Sequence, residues 1–289
     1  MTDNPNLSQF LDRLEKLSDE TRTEAKNKRH KLGLRTAREN LNHLVDDQSF
    51  LEYGAFAVAA QRNRRKYEDL QIDTAADGII TGFCKINSDL IGEEKSDAVS
   101  IVYDYSVLAG TQGFFHHMKL DRICEKAKEF KLPIVIYTEG GGGRPGDTDV
   151  ITSVAGLHVP SFALWASLHG RCLRIAINNG FCFAGNAALF GSADIRIATK
   201  NSWIGMAGPA MIEGGGLGKF DPKEIGPSDI QKNNGVIDYV AEDEKDATNI
   251  AKKILSYFQG EIKDWKADDQ TQLSNIMPKD RRWSYPVRD

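Results

Sequence analysis

Two glycine-rich stretches are placed where their backbone could do chemistry: Glu139-Gly140-Gly141-Gly142-Gly143-Arg144-Pro145-Gly146, and Gly180-Phe181-Cys182-Phe183-Ala184-Gly185-Asn186. Each follows a short apolar run and precedes a segment with the composition of a helix. Turns of this kind leave N–H groups at the helix start unpaired and ready to bind an oxyanion or a phosphate. Two turns facing one pocket could hold the oxygen of a thioester as it becomes an enolate. The plain alternative, that both are tight strand-to-helix connections, fits the same residues. Glu139 is the one carboxylate placed for acid–base work, and its structural reading is as a cap or a partner for Arg144. A basic run, Arg62, Arg64, Arg65 and Lys66, suits phosphate oxygens or an ordinary solvated loop.

Other chemistries fit poorly. Gly141-x-Gly143-x-x-Gly146 satisfies the dinucleotide fingerprint, but Pro145 stiffens the turn and no acidic residue lies between Asp149 and Asp194 to meet a ribose hydroxyl. Gly214 to Phe220 fails as a P-loop, since Glu213 replaces the first glycine and Phe220 the Ser/Thr. His116 and His117 would point about 100° apart on a helix, and His30, His43, His158 and His169 stand alone. Cys84, Cys124, Cys172 and Cys182 form no C-x-x-C pair, so they read as buried thiols, and no metal site is expected.

The elements that must position the turns follow from periodicity. Leu7, Phe10, Leu11, Leu14 and Leu17 predict an amphipathic helix with a polar tail running to His30, and Thr36 to Glu39 a capping box opening a second helix. Ser49 to Tyr53 reads as extended and Gln61 to Asp77 as a polar loop. Gly78 to Ile86 and Asp97 to Tyr105 predict a hairpin or meander, and Gly113 to Phe130 a helix with Leu120, Ile123, Ala127 and Phe130 on one face. Pro133 to Tyr137, Cys172 to Ile177 (broken at Asn178-Asn179-Gly180), Asp194 to Ala198 and Val236 to Val240 read as buried strands. Helices are expected near Asp147 or Thr148, at Ser161 to His169, at Ala184 to Leu189, and at Asp243 to Phe258 with Ile250, Ile254, Leu255 and Phe258 inward. Strands alternating with helices predict an α/β domain.

The 289 residues, 40% hydrophobic and 27% charged, are enough for one large core or two small ones. A net charge of −4 and a pI near 5.9 argue against a nucleic-acid-binding surface. No apolar run reaches the roughly 18 residues of a membrane span, and no signal or transit peptide is visible, so no membrane and a cytoplasmic location are expected.

Several segments taken in order resemble a known family. Arg35-Thr36-Ala37-Arg38-Glu39-Asn40-Leu41, Ser49 to Glu52, Asp77 to Gly82, Asp104 to Thr111, Glu139 to Arg144, Gly180 to Gly185 and Asn234 to Glu244 stand as in carboxyltransferase β subunits of propionyl-CoA and acetyl-CoA carboxylases. The resemblance implies a crotonase/ClpP-like spiral of ββα units preceded by N-terminal helices. It divides the chain into a helical segment (1–48), an acyl-CoA-binding domain (49–262) and a linker (263–289) towards a C-terminal biotin-binding half that is absent from the chain. The implied activity is transfer of CO2 from carboxybiotin to the α-carbon of a short acyl-CoA, with biotin, on a carrier protein, as the base. The alternatives are a decarboxylase subunit, a non-catalytic assembly module and a stand-alone hydratase or isomerase. The resemblance places the oxyanion hole at the N–H groups of Ala184 and Gly185, and substrate contacts at Gly141, Gly142, Gly143, Arg144, Asn186, Arg62, Arg64 and Arg65. Ala184 stands where Gly is common, and Glu139-Gly140 where Ser or Asp precedes Gly. Expected partners are acyl-CoA, the C-terminal carboxyltransferase half, biotin carboxylase and biotin carrier protein, in a homo-oligomer whose N-terminal half has little activity alone.

Overall fold

A computed structural model describes residues 4–150, 159–261, 266–276, 278–280 and 282. Three helices, α1 (Pro5–Glu15), α2 (Thr23–Lys31) and α3 (Ala37–Leu44), precede the sheet, where two were expected. The first expected helix breaks because Ser18 and Thr21 turn their side chains to the local backbone: Ser18 Oγ accepts from Thr21 N–H at 3.3 Å, and Thr21 Oγ1 donates to Glu15 O at 2.9 Å. The α3 capping box forms as read, with Glu39 N–H donating to Thr36 Oγ1 and Thr36 N–H to the Glu39 carboxylate.

Strand β1 (Leu51–Tyr53) leads to α4 (Tyr67–Asp73), a helix inside the segment read as a polar loop. One fully buried leucine, Leu70, anchors it against Val58 and Ala59. Next come β2 (Ile79–Lys85), the short α5 (Ser88–Ile91), β3 (Asp97–Tyr103), α6 (Phe114–Phe130), β4 (Ile134–Tyr137), α7 (Ser161–Ser167), β5 (Arg174–Phe183) and α8 (Gly185–Gly191). After β6 (Ile195–Gly205) lie α9 (Pro209–Gly214), α10 (Ser228–Asn233), β7 (Tyr239–Ala241) and α11 (Glu244–Gln259). Asp147 and Thr148 are irregular and Asp149 and Val150 form a bend, so no helix starts there; Asp147 instead accepts from Phe114 N–H at the start of α6. Residues 151–158, His158 included, lie outside the described ones.

The seven strands form one sheet in sequence order, antiparallel from β1 to β3 and parallel from β3 to β7. Alternate residues face opposite layers. Ile79, Val99, Ile101, Ile134 and Ile136 pack with Leu120 and Ile123 of α6 and Leu189 of α8, whereas Ile80, Val102, Val135, Ile175 and Ile177 pack with Leu41 of α3 and Ala251 and Leu255 of α11. Parallel strands covered on both faces explain the continuous apolar runs in the sequence. All four cysteines are buried and unpaired. Asn178-Asn179-Gly180 does not end β5: the strand continues through a register shift with Gly180 at φ +101°, and Asn178 Nδ2 bridges it by donating to Gly180 O.

Candidate functional site

The two glycine-rich turns lie side by side beyond the carboxyl end of β4. Gly140 pairs in parallel with Cys182, its N–H donating to Phe181 O at 2.7 Å and its carbonyl accepting from Phe183 N–H at 2.9 Å. Gly142 has φ +90°, and a Cβ there would meet Ala184 Cβ at 2.7 Å, so only glycine lets the turns come this close. Asn186, fully buried at the start of α8, ties them together. Its Oδ1 accepts from Gly142 N–H at 3.0 Å, and its Nδ2 donates to Thr138 O and Gly110 O. Gln112 closes the other side, with its N–H on Gly142 O, its carbonyl accepting from Arg144 N–H, and its Nε2 on Tyr103 Oη.

Donor accounting then decides which N–H groups can meet a ligand. Gly140, Gly141 and Gly142 donate to Phe181 O, Ala109 O and Asn186 Oδ1. Ala184, expected in the oxyanion hole, donates to Gly205 O at 3.1 Å; that expectation is corrected, because the N-cap residue continues the β5–β6 pairing before the helix begins. Among the described residues, no acceptor is found for the N–H group of Gly143 on one turn, or for those of Gly185, Asn186 and Ala187 on the other. Gly185 is the first residue of α8, where the ladder supplies no partner.

Three further expectations change. Arg144, read as a substrate contact and as the partner of Glu139, has a side chain only 3% exposed, ion-paired with buried Asp77 and with Asp147 and donating to Thr111 O. Asn186 has both ends of its amide engaged by backbone and holds the turns rather than a ligand. The basic run does not converge on one site. Arg65 pairs with Asp73 at the rim of the cleft, whereas the Arg62 guanidinium stacks 4.2 Å over the Tyr67 ring and Arg64 lies against Gly146.

A cleft of about 1210 Å³ opens at the first residues of the two stretches, Glu139 on one and Gly180 and Phe181 on the other, while Gly143 and Gly185 are not part of its lining. Phe181, Trp203, Tyr105, Leu108 and Ile72 give it apolar walls, Lys28 and Lys223 stand at its lining, and Glu139 and Gly180 form part of its wall. Ala109, whose carbonyl holds Gly141, belongs to the same lining. Glu139 is gripped by Arg29 of α2 through two bonds of 2.9 and 2.8 Å, and Arg29 also lies 3.6 Å from Glu244 of α11. Burial pushes the Glu139 carboxyl up to about 7 against the opposing pull of Arg29. Beside it, Arg22 pairs with Asp104 at 2.7 Å, and Arg22, like Arg29, is almost fully buried. Neither arginine was legible as a site residue, since both sit in a charged stretch whose spacing shows no inward face. Their only signal is that α2 lacks an apolar stripe and must be held by something else.

Residues 28–289 match the carboxyl transferase domain family. The chain belongs to this family. It is 30% identical over 274 residues to the methylmalonyl-CoA carboxyltransferase 12S subunit of Propionibacterium freudenreichii, a match covering 91% of this chain and 49% of that protein. It is 27% identical to the biotin-dependent long chain acyl-coenzyme A carboxylase beta4 subunit of Mycobacterium tuberculosis, covering 87% of this chain and 45% of that one. Among solved structures, a single-chain, multi-domain long-chain acyl-CoA carboxylase superposes with a TM-score of 0.89 at 48% identity, over 99% of this chain and 28% of that chain. The transcarboxylase 12S hexamer with methylmalonyl-CoA bound follows at 0.76 and 28%, over 100% and 56%. The chain thus spans about half the length of the curated relatives it matches. The fold is the crotonase-type spiral that the sequence resemblance implied. Among the described residues no group of three or more His, Cys, Asp or Glu could hold a metal ion, and no helix is long and apolar enough to cross a membrane.

Proposed function

We propose that this chain is the acyl-CoA-binding half of a biotin-dependent acyl-CoA carboxyltransferase, holding the thioester oxygen at the N–H groups of Gly143 and Gly185. The observation that carries the reading is that both turns carry open donors, Gly143 on one and the first turn of α8 beginning at Gly185 on the other, with Gly142 and Ala184 in close approach between them. As the α-carbon loses its proton, charge gathers on the thioester oxygen. Preorganised donors aimed at such an oxyanion are worth about 2.7–4 kcal/mol each. Glu139 is committed to Arg29, so at these turns the chain supplies binding and electrostatics rather than a base. Biotin, when bound, supplies the carboxyl group and the basic nitrogen. Cutting water off from the thioester falls to the cleft walls and to whatever covers the turns in the complete enzyme, which the relatives' extra length would provide.

With its acyl chain laid in the cleft that begins at Glu139 and Gly180, the substrate would be a long acyl-CoA rather than the short one first expected. The cleft volume exceeds the roughly 300–1,000 Å³ of ordinary small-molecule sites, and Phe181, Trp203, Leu108 and Ile72 offer apolar wall along it. The 48% identity to a long-chain acyl-CoA carboxylase points the same way. Each buried CH2 is worth about 0.8 kcal/mol, so burial of only two separates long from short acyl groups by about tenfold. Calorimetry with palmitoyl-CoA and acetyl-CoA tests this. Saturable binding with palmitoyl-CoA at least about tenfold tighter is expected. Equal affinities would return the short acyl group, and no heat from either at millimolar concentration would remove acyl-CoA binding altogether.

A further inference from the structure

Arg29, Tyr105 and Glu139 line the open cleft and also a second, small cavity of about 20 Å³. Asn40 of α3, Asn179 of β5 and Glu244 of α11 form other parts of its wall. Two polar atoms on this wall are buried without a hydrogen-bond partner: Asn40 Oδ1 and Asn179 Nδ2. Both residues are more than nine-tenths buried, at 5% and 6% exposure. The orientation of each amide has a reason. Asn40 Nδ2 donates to Glu244 Oε1 at 3.0 Å, and Asn179 Oδ1 accepts from Thr199 Oγ1 at 2.8 Å, which turns one acceptor and one donor away from these partners.

Leaving a buried donor or acceptor unmade costs about 1–3 kcal/mol per group. A single ligand that both donates and accepts removes both costs. The volume suffices for one water molecule, which needs about 10–15 Å³ of such space and two to four polar partners. An ion fits worse: an anion would face Asp104, Glu139 and Glu244, and for a cation two of these carboxylates are already paired, Asp104 with Arg22 and Glu139 with Arg29, and no group of three acidic, His or Cys residues among the described ones could hold a metal. We propose that this cavity is a binding site for one water molecule, which donates to Asn40 Oδ1 and accepts from Asn179 Nδ2. The water then joins α3 to the bulge in β5. There Gly180 lies so close to Glu139 that a Cβ would collide with its carboxylate, so the bound water belongs to the support of the cleft wall.

A high-resolution crystal structure of the ligand-free chain tests the site without depending on acyl-CoA binding. A density peak at about 2.7–3.2 Å from both Asn40 Oδ1 and Asn179 Nδ2 is expected. An empty cavity, a peak touching only one of the two, or a peak coordinated by Glu139 and Glu244 as a cation would overturn the proposal. If crystals do not form, hydration cross-relaxation on 15N-labelled chain gives the same reading. The Asn179 side-chain amide should show a water cross-peak of the sign expected for a long-lived bound water, and its absence counts against the site.

Discussion

Ala184 adopts φ +51° and ψ −119°, a backbone conformation that glycine reaches freely and alanine does not, at the point where β5 turns into α8. A non-glycine residue held there costs about 1–3 kcal/mol. Ala184→Gly should therefore raise stability by about 1 kcal/mol, the strain relieved less the extra chain entropy of glycine, read as a higher urea midpoint with an unchanged slope. Gly185 behaves oppositely, because a Cβ there would collide with Gln112 Oε1. Gly185→Ala should displace Gln112 from its bond to Tyr103 and weaken thioester binding by about tenfold or more, a loss of about 1.4 kcal/mol, while the chain still folds by circular dichroism. The Arg29–Glu139 pair is a third residue-scale feature. Its side chains are 9% and 11% exposed, so Arg29→Met strands a buried carboxylate and should cost about 3–5 kcal/mol in chemical denaturation. Replacing both residues by apolar ones should recover most of that loss.

At the scale of elements, the junction of α6 with α7 carries a pH dependence. His117 Nδ1 lies 2.8 Å from Ser161 Oγ, and burial, with Arg144 nearby, depresses the His117 imidazole to about 4. The unfolded chain binds a proton near pH 6.5 and the folded chain near 4, so the stabilisation is complete above pH 6.5 and is lost as pH falls towards 4. The difference corresponds to about 3 kcal/mol. Denaturation of His117→Asn beside the unaltered chain should show the gap between them changing across this window and level above it. The sequence made the buried strands readable, because parallel strands covered on both faces leave unbroken runs such as Ile134 to Tyr137. It misled at Asn178-Asn179-Gly180, where turn-forming residues instead make a bulge closed by Asn178's own side chain. Phe130 and Phe258, read as inward, are 55% and 62% exposed because both lie at the last turn of a helix, beyond the edge of the core. Helix α4 was invisible to periodicity, since one buried leucine makes no pattern. The two turns were legible as a candidate site, and the structure sets them side by side, but which of their donors are open was not legible. Which N–H is free depends on strand pairing to Gly205 and on the side chain of Asn186, both distant in sequence.

Across the whole molecule, one sheet sets the site. Parallel strands β3, β4 and β5 bring Asp104, Glu139 and Gly180 to the same region, and ligands in such sheets bind beyond the carboxyl ends of the strands. The N-terminal helices close that region from outside, since Arg22, at the N-cap of α2, reaches Asp104 and Arg29 of α2 reaches Glu139, across 82 and 110 residues of sequence. Wall and turns are therefore built from parts that fold together, which predicts that removing residues 1–34 abolishes acyl-CoA binding as well as lowering stability. The most direct test is a crystal structure of the chain with a non-hydrolysable acyl-CoA analogue that keeps the carbonyl group. Its carbonyl oxygen should lie about 2.7–3.1 Å from the backbone nitrogens of both Gly143 and Gly185. A carbonyl oxygen turned away from these nitrogens, or held instead by side chains of the cleft, would contradict the account.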